Sequence, residues 1–471
     1  MSKVDHFQEI AEREKGLSKG LTTPQLTMIA MGGAIGTGLF LGSGFAIGIA
    51  GPSVLVSYAI GALIALLLMG CLAEMTVAHP TSGGFGAYAE RYINPWAGFV
   101  VRYSYWACIV CAVGVEITAV AVYMQYWFAT VPGWVWILLF STALIYVNAT
   151  SVNLFGSFEY WFSMIKVAAI VIFILLGSYV LLGTSQPEMG PQNYTNQGGF
   201  APNGWWGMWV AVFIALFSYL SIEMIAVTAG EAKDPQKAVP KALKATVFRL
   251  VLFYLLTIAL MLMIVPWTSA GIDKSPFVKV MEILNIPGAA GIMNFIVLTA
   301  ALSAMNSQLY ITTRMMFSLS RAGYAPKKFG ELSNKGVPTK ALILSTLGIA
   351  IAAVVQTIAP ESSYMIMMGI SMFGAMFTWF MIFVTHLFFR KTWVALGNAQ
   401  LPVRMVGYPY LTLLGAVLML SIIVTTWFND FRMTLVVGIP WLIFISLAYL
   451  GWKKFNPQNP SLQKGSHHES A

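Results

Sequence analysis

The sequence predicts an all-α integral membrane protein with twelve transmembrane helices, of which the first and sixth are discontinuous. Three observations predict it. Apolar residues make up 58% of the 471 and charged residues only 10%, with a mean hydropathy of +0.74, whereas a soluble globular domain carries about 25% charge. The apolar residues gather into twelve stretches, at approximately 24–50, 53–78, 96–129, 133–152, 157–183, 206–230, 243–267, 288–318, 341–359, 364–389, 408–428 and 433–452. A hydrocarbon core of about 30 Å takes roughly 20 residues of helix and only about 10 of a barrel strand, so these are helices. Finally, two of the stretches, 1 and 6, are interrupted.

The first interruption reads GGAIGTGLFLGSG over residues 32–44, and the second LFSYLSIE over 216–223. Glycine costs about 1 kcal/mol relative to alanine inside a helix. The polar patch of Ser218, Tyr219, Ser221 and Glu223 is equally out of place at mid-membrane. Span 1 opens one set of five helices and span 6 the next. Breaks at equivalent positions of two halves are the sequence pointer to an inverted-repeat transporter. The chain divides accordingly into a tail (1–23), a first repeat (24–183), a second repeat (206–389), helices 11 and 12 (408–452) and a closing tail (453–471).

Charge sets the topology. Most of the 27 Lys and Arg fall in the two tails and in the loops after spans 2, 6, 8 and 10. Only Lys274, Lys279 and Arg432 fall on the opposite side, while Arg102, Lys166, Arg249 and Arg314 lie within spans. Positive residues stay inside, so both tails are expected in the cytoplasm, with the chain in the cell's inner membrane. The net charge of +9 is then a topology signal needing no nucleic acid, and the basic loops suit anionic lipid headgroups. The first 20 residues are polar and charged, so no cleavable signal peptide is expected.

A broken helix exposes N–H groups at one new end and carbonyls at the other, which lipid tolerates only around a cavity or ligand. The new N-terminus suits an anion and the new C-terminus a cation. An α-amino acid offers both. Gly36, Thr37 and Gly38 would give room for a carboxylate. The competing reading is close helix packing, since Gly32 and Gly36 spell GxxxG.

Around these residues the chain resembles the amino acid permeases of the amino acid–polyamine–organocation (APC) superfamily, in their bacterial amino acid transporter branch. The similarity runs through GGAIGTGLF (32–40), PTSGGFGAYAERYINPWAGF (80–99), VEITAVAVYMQYW (115–127), FEYWFSMIKVAAI (158–170), AGEAKDPQKAVPKA (229–242) and ALSAMNSQLYITTRMMFSLSRAGYAPKKF (301–329). The resemblance implies a five-plus-five inverted repeat with two added helices, working by alternating access. It implies that Ile35, Gly36, Thr37 and Gly38 hold the substrate carboxylate. Carbonyls around Phe217, Ser218 and Leu220 would take the ammonium, with Phe217 as an aromatic gate. Where the family has glycine before the Ile-Glu of span 6, this chain has Ser221, whose hydroxyl either narrows the pocket or contacts substrate.

Charges inside the membrane are functional candidates by default. A Lys166 charged in one conformation and neutral in another could carry a proton with the substrate. The resemblance puts it where sodium-coupled relatives hold sodium. Alternatively it is a structural ammonium. Glu116 must face inward, to pair with a cation, shape the pocket or move protons. Glu223 and Glu231 flank the inner half of span 6 as gate residues, and Glu231, which begins the polar loop, reads as gate or cap. Glu74 and Arg314 are expected in structural pairs, Glu159 at the interface, and His386 as a satisfied helix histidine. Ser303, Asn306, Ser307 and Tyr310 share a helical face expected to look onto the path, with Tyr310 in reach of substrate, or else to make interhelical bonds. Trp134, Trp205, Trp267 and Trp452 read as interface anchors.

The expected function is secondary active transport of a neutral L-amino acid with a proton, and no cofactor beyond that coupling ion. An exchanger, a γ-aminobutyrate or basic amino acid permease, and a non-transporting sensor of the same fold are the alternatives. No paired catalytic residues or phosphate loop point to an enzyme. Cys71, Cys108 and Cys111 lack further ligands for a metal. The oligomeric state is not legible.

Overall fold

The computed structural model describes residues 35–81, 83–150, 152–183, 189–228, 235–269, 275–397, 401 and 403–455. Every regular element among them is helical. The helices on the apolar stretches are α1 (Ser43–Ala50), α2 (Val54–Ala78), α3 (Pro95–Gln125), α4 (Gly133–Thr150), α5 (Val152–Gly183), α6 (Gly204–Tyr219), α7 (Pro235–Ile264), α8 (Ala289–Arg321), α9 (Leu347–Ile358), α10 (Ser363–Ala395), α11 (Tyr410–Thr425) and α12 (Met433–Phe455). Lipid offers no hydrogen-bond partner, so such apolar runs close their backbone bonds within the segment. Local signals set the ends. The Asn94 side chain caps α3 by accepting the Ala97 N–H at 2.8 Å, with Pro95 in the first turn.

Among the described residues, ten helical runs are long and apolar enough to cross a membrane. One run, Gly38–Ala78, contains residues 38–50 of the first expected span and all of the second. It is divided at Gly51–Ser53, where Gly51 takes a φ of +62°. The seventh expected span contributes a shorter apolar helix, Leu250–Ile264. Each of the twelve expected stretches carries helix among its described residues, although the length criterion yields ten runs.

Burial separates the helices into an interior and a jacket. The most apolar window of the α6 run is wholly buried and that of α3 is 83% buried, against 28% for α4 and for α12. Helix α3 packs against α8, α9 and α10, and α6 lies between α1 and α2. On α5, Trp161, Leu175 and Leu182 point outward, as hydrocarbon contact requires. Trp134 and Trp205 are exposed near helix ends, in keeping with anchor positions.

Candidate functional site

At the first interruption, Ile35 and Gly36 form a bend, and helix begins at Thr37, passing through a π-helical turn, Gly38–Gly42, into α1. The N–H groups of Thr37 and Gly38 are thus first-turn donors of a helix. The chain before residue 35, including Gly32, lies outside the described residues.

The second interruption lies where expected. Helix α6 runs through Tyr219, the chain turns at Leu220–Glu223, and a short helix resumes over Met224–Thr228. Ser221 has a φ of +80°, in the left-handed region that costs a side-chain-bearing residue roughly 1–2 kcal/mol. The turn is held by its own neighbours. The Ser221 N–H donates to Glu223 Oε1 at 3.2 Å, and the Tyr105 hydroxyl donates to the same oxygen at 2.7 Å. Glu223, read from the sequence as a gate residue, caps this turn. Glu231, the other flanking acid, falls outside the described residues.

The two breaks touch. A Cβ on Gly38 would stand 2.7 Å from Ser218 Cα and 3.0 Å from its nitrogen, so only glycine allows this main-chain approach. Between them lies a small, polar-lined cavity bordered by Gly36, Gly38, Glu116, Phe217, Leu220, Ser221 and Gln308. Ser221 Oγ and Gln308 Oε1 are buried and have no hydrogen-bond partner among the described residues. Phe217 meets Tyr364 edge-on at 6.5 Å, and the Tyr364 hydroxyl donates to the Thr37 carbonyl at 3.2 Å. Tyr364 therefore touches both the first break and Phe217 beside the second.

Other expected ligands are already engaged. Ser218 Oγ bonds the Tyr58 hydroxyl at 2.9 Å, and the Ser218 carbonyl accepts from Tyr254 at 2.8 Å. The Phe217 carbonyl accepts the Leu220 N–H at 3.2 Å. Ile35 is fully buried in the apolar core. Tyr310 is not a cavity residue: its ring lies 3.7 Å under the Arg314 guanidinium. The reason is helical phase. Gln308 and Ala304, one turn apart, form the α8 stripe that faces the first break, and Ala304 Cβ would lie 3.0 Å from a Cβ on Gly36.

The face carrying Ser303 and Asn306 looks elsewhere, onto Glu159. That carboxylate accepts from Ser303 Oγ at 2.6 Å, Asn306 Nδ2 at 3.4 Å and Ser163 Oγ at 3.4 Å. Glu159 is fully buried, not interfacial. Lys166, two turns along α5, is fully buried as well and interacts electrostatically with Glu159 and Glu116. Glu116 on α3 reaches the first break: its Oε2 accepts the Thr37 N–H at 3.3 Å. Further inward, Glu74 pairs with His386 Nε2 at 3.0 Å and with Arg390, and accepts the Met405 N–H at 2.9 Å. His386 is satisfied, as expected.

Sequence reading missed Gln308, Tyr364 and the depth of Glu159. A glutamine isolated in an apolar span is a signal that could have found the first. Nothing local marks Tyr364, which acts through a residue 327 positions away.

Residues 25–459 match the family model for amino acid permeases. The chain belongs to the amino acid permease family. It is 40% identical over 422 residues to the gamma-aminobutyric acid permease of Bacillus subtilis (strain 168), covering 89% of this chain and 90% of the relative. It is 36% identical over 437 residues to the aromatic amino acid transport protein AroP of Salmonella typhimurium (strain SL1344), covering 92% and 95%. The permease is therefore a multi-pass membrane protein of the APC superfamily, and its relatives bear the names of permeases and transport proteins, not of enzymes. Membership fits a site where the bend at 35–36 and the turn at 220–223 border one small polar-lined cavity.

Proposed function

We propose that this permease imports a neutral L-amino acid together with a proton, by alternating access, across the cell's inner membrane. Twelve crossings place both tails in the cytoplasm, with residues 24–183 and 206–389 as inverted repeats. The observation that carries the reading is the contact of the two breaks around the cavity of Gly36, Gly38, Glu116, Phe217, Leu220, Ser221 and Gln308. Main-chain donors of residues 35–38 face the substrate carboxylate. The Leu220 carbonyl, Ser221 Oγ and Gln308 Oε1 face the ammonium and the first atoms of the side chain. Phe217 and Tyr364 cover the site. Buried Lys166, with Glu116 and Glu159 as electrostatic partners, is the proton carrier, and no other cofactor is needed.

A second reading has γ-aminobutyrate as the substrate, supported by the 40% identity to a permease named for it. One experiment separates the two. The purified protein is heated with each of the twenty amino acids and with γ-aminobutyrate, since a ligand at 100 times its Kd adds about 2.7 kcal/mol. Reconstituted uptake of the best ligand, driven by an acid-outside gradient in sodium-free buffer, then tests the coupling. No stabilisation by any of them would end the reading, and uptake indifferent to the gradient would end the proton coupling.

A further inference from the structure

One amide has two carboxylates with a use for it. On the reading above, the substrate carboxylate goes to the N–H groups of residues 35–38. In the structure the Thr37 N–H instead donates to Glu116 Oε2 at 3.3 Å, and the Thr37 and Gln308 side chains also bond this carboxyl. Its other oxygen, Oε1, lies 2.8 Å from the point where a Cβ would project at Gly36. Glu116 thus fills the space that glycine leaves open at the break, and at 2% exposure it is part of the cavity wall. The end of a glutamate side chain and the carboxylate of an amino acid are the same chemical group. A helix N-terminus in a water-poor site favours either one, while two carboxylates there together repel.

We infer that Glu116 is a tethered stand-in for the substrate carboxylate, one that satisfies the first break between transport cycles and must leave the Thr37 amide before an amino acid can bind. The inference rests on the proposed carboxylate site at residues 35–38 but not on which amino acid is carried. It gives Glu116 a physical task. Without an internal acceptor the first-turn N–H groups of the helix would stand unpaired inside the membrane whenever the site held no ligand. The displaced side chain has an electrostatic partner in Lys166, so substrate entry and the state of the proposed proton carrier are linked by one moving group. The cost is affinity: a site open only part of the time binds more weakly by that fraction.

The test compares a zwitterion with its carboxylate-free counterpart. The probe is whichever of L-alanine, L-phenylalanine and γ-aminobutyrate binds the wild-type protein most tightly, paired with ethylamine, phenethylamine or propylamine respectively. In Glu116→Gln, which keeps the shape and removes the charge, the zwitterion is expected to bind at least fivefold more tightly while the amine does not tighten. Glu116→Asp, which withdraws the carboxylate by one methylene, is expected to shift the same way by a smaller factor. Zwitterion affinity that falls or stays level in a variant that still unfolds cooperatively on heating overturns the inference, because a wall or ammonium-binding residue would weaken both ligands. Should neither variant fold, the wild type still decides. Adding the probe with a ¹³C-labelled carboxyl should change a protein carboxylate band in the infrared difference spectrum, and an unaltered protein carboxylate region overturns the inference. If none of the three probes binds wild-type protein, the proposed carboxylate site itself has failed, an outcome distinct from a zwitterion that binds and is not tightened.

Discussion

The two helix interruptions meet in the same cavity but are closed in opposite ways. At residues 220–223 the chain caps itself. Glu223 takes the N–H of Ser221 two residues back, Tyr105 donates to that carboxylate, and Tyr254 fills the Ser218 carbonyl. At residues 35–38 the cap comes from another helix, through Glu116 of α3. A cap within the same turn moves with it and holds its shape. One on a separate helix can depart without unfolding anything. On the proposed mechanism, the second break is a fixed frame and the first an exchangeable socket.

The largest effect should come from filling the socket. In Gly36→Val the new Cβ would stand 2.8 Å from Glu116 Oε1 and 3.0 Å from Ala304 Cβ. The expected outcome is loss of ligand-induced thermal stabilisation altogether. Wild-type affinity in this variant would remove the first break from the binding site. Next, Lys166→Ala should lower uptake driven by a pH gradient at least tenfold while reducing equilibrium exchange far less. Equal losses in the two assays would make Lys166 structural.

Breaking the frame should read out as stability. Glu223→Ala strands the Ser221 N–H and the Tyr105 hydroxyl, both buried, at about 1–3 kcal/mol for each group left unpaired, so the melting temperature should fall by several degrees. Glu116→Gln, whose amide oxygen can still accept from Thr37, should lower it less. A reversed order would undo the contrast between frame and socket. The smallest effect belongs to Ser221→Gly. Relief of the +80° φ favours the folded state by about 1 kcal/mol, offset by glycine's freer unfolded chain, so the melting temperature should rise slightly or hold. The loss of Oγ from the cavity should appear separately, as altered selectivity in competition uptake. A clear fall in melting temperature would mean that Oγ makes a structural bond.

Much of this was legible along the chain because the membrane simplifies the problem. Length and hydropathy located helix-bearing stretches, and the clustered glycines and polar residues pointed to the bend at residues 35–36 and the turn at 220–223, since lipid penalises loose backbone wherever it faces hydrocarbon. Gly38 and Phe217 could be placed for the same reason. Facing was less legible. Tyr310 and Gln308 differ by two positions on α8, about 200° of helical rotation, and it is Gln308 that borders the cavity while Tyr310 lies under Arg314. Glu159 was placed at an interface from its distance to the span end, but Ser303 and Asn306 of α8 receive it in the interior.

The sequence by itself determined that the chain lives in a membrane as a bundle of helices and where two of those helices fail, because both follow from the transfer of each segment from water to lipid. Only the tertiary structure decided which partners answer each break: Glu223 at one, Glu116 at the other, with Tyr364 touching Thr37 and Phe217. Those partners lie from two to more than three hundred residues away, and their choice depends on how α3, α8 and α10 rotate against one another. Side-chain packing sets that rotation, and no single segment encodes it.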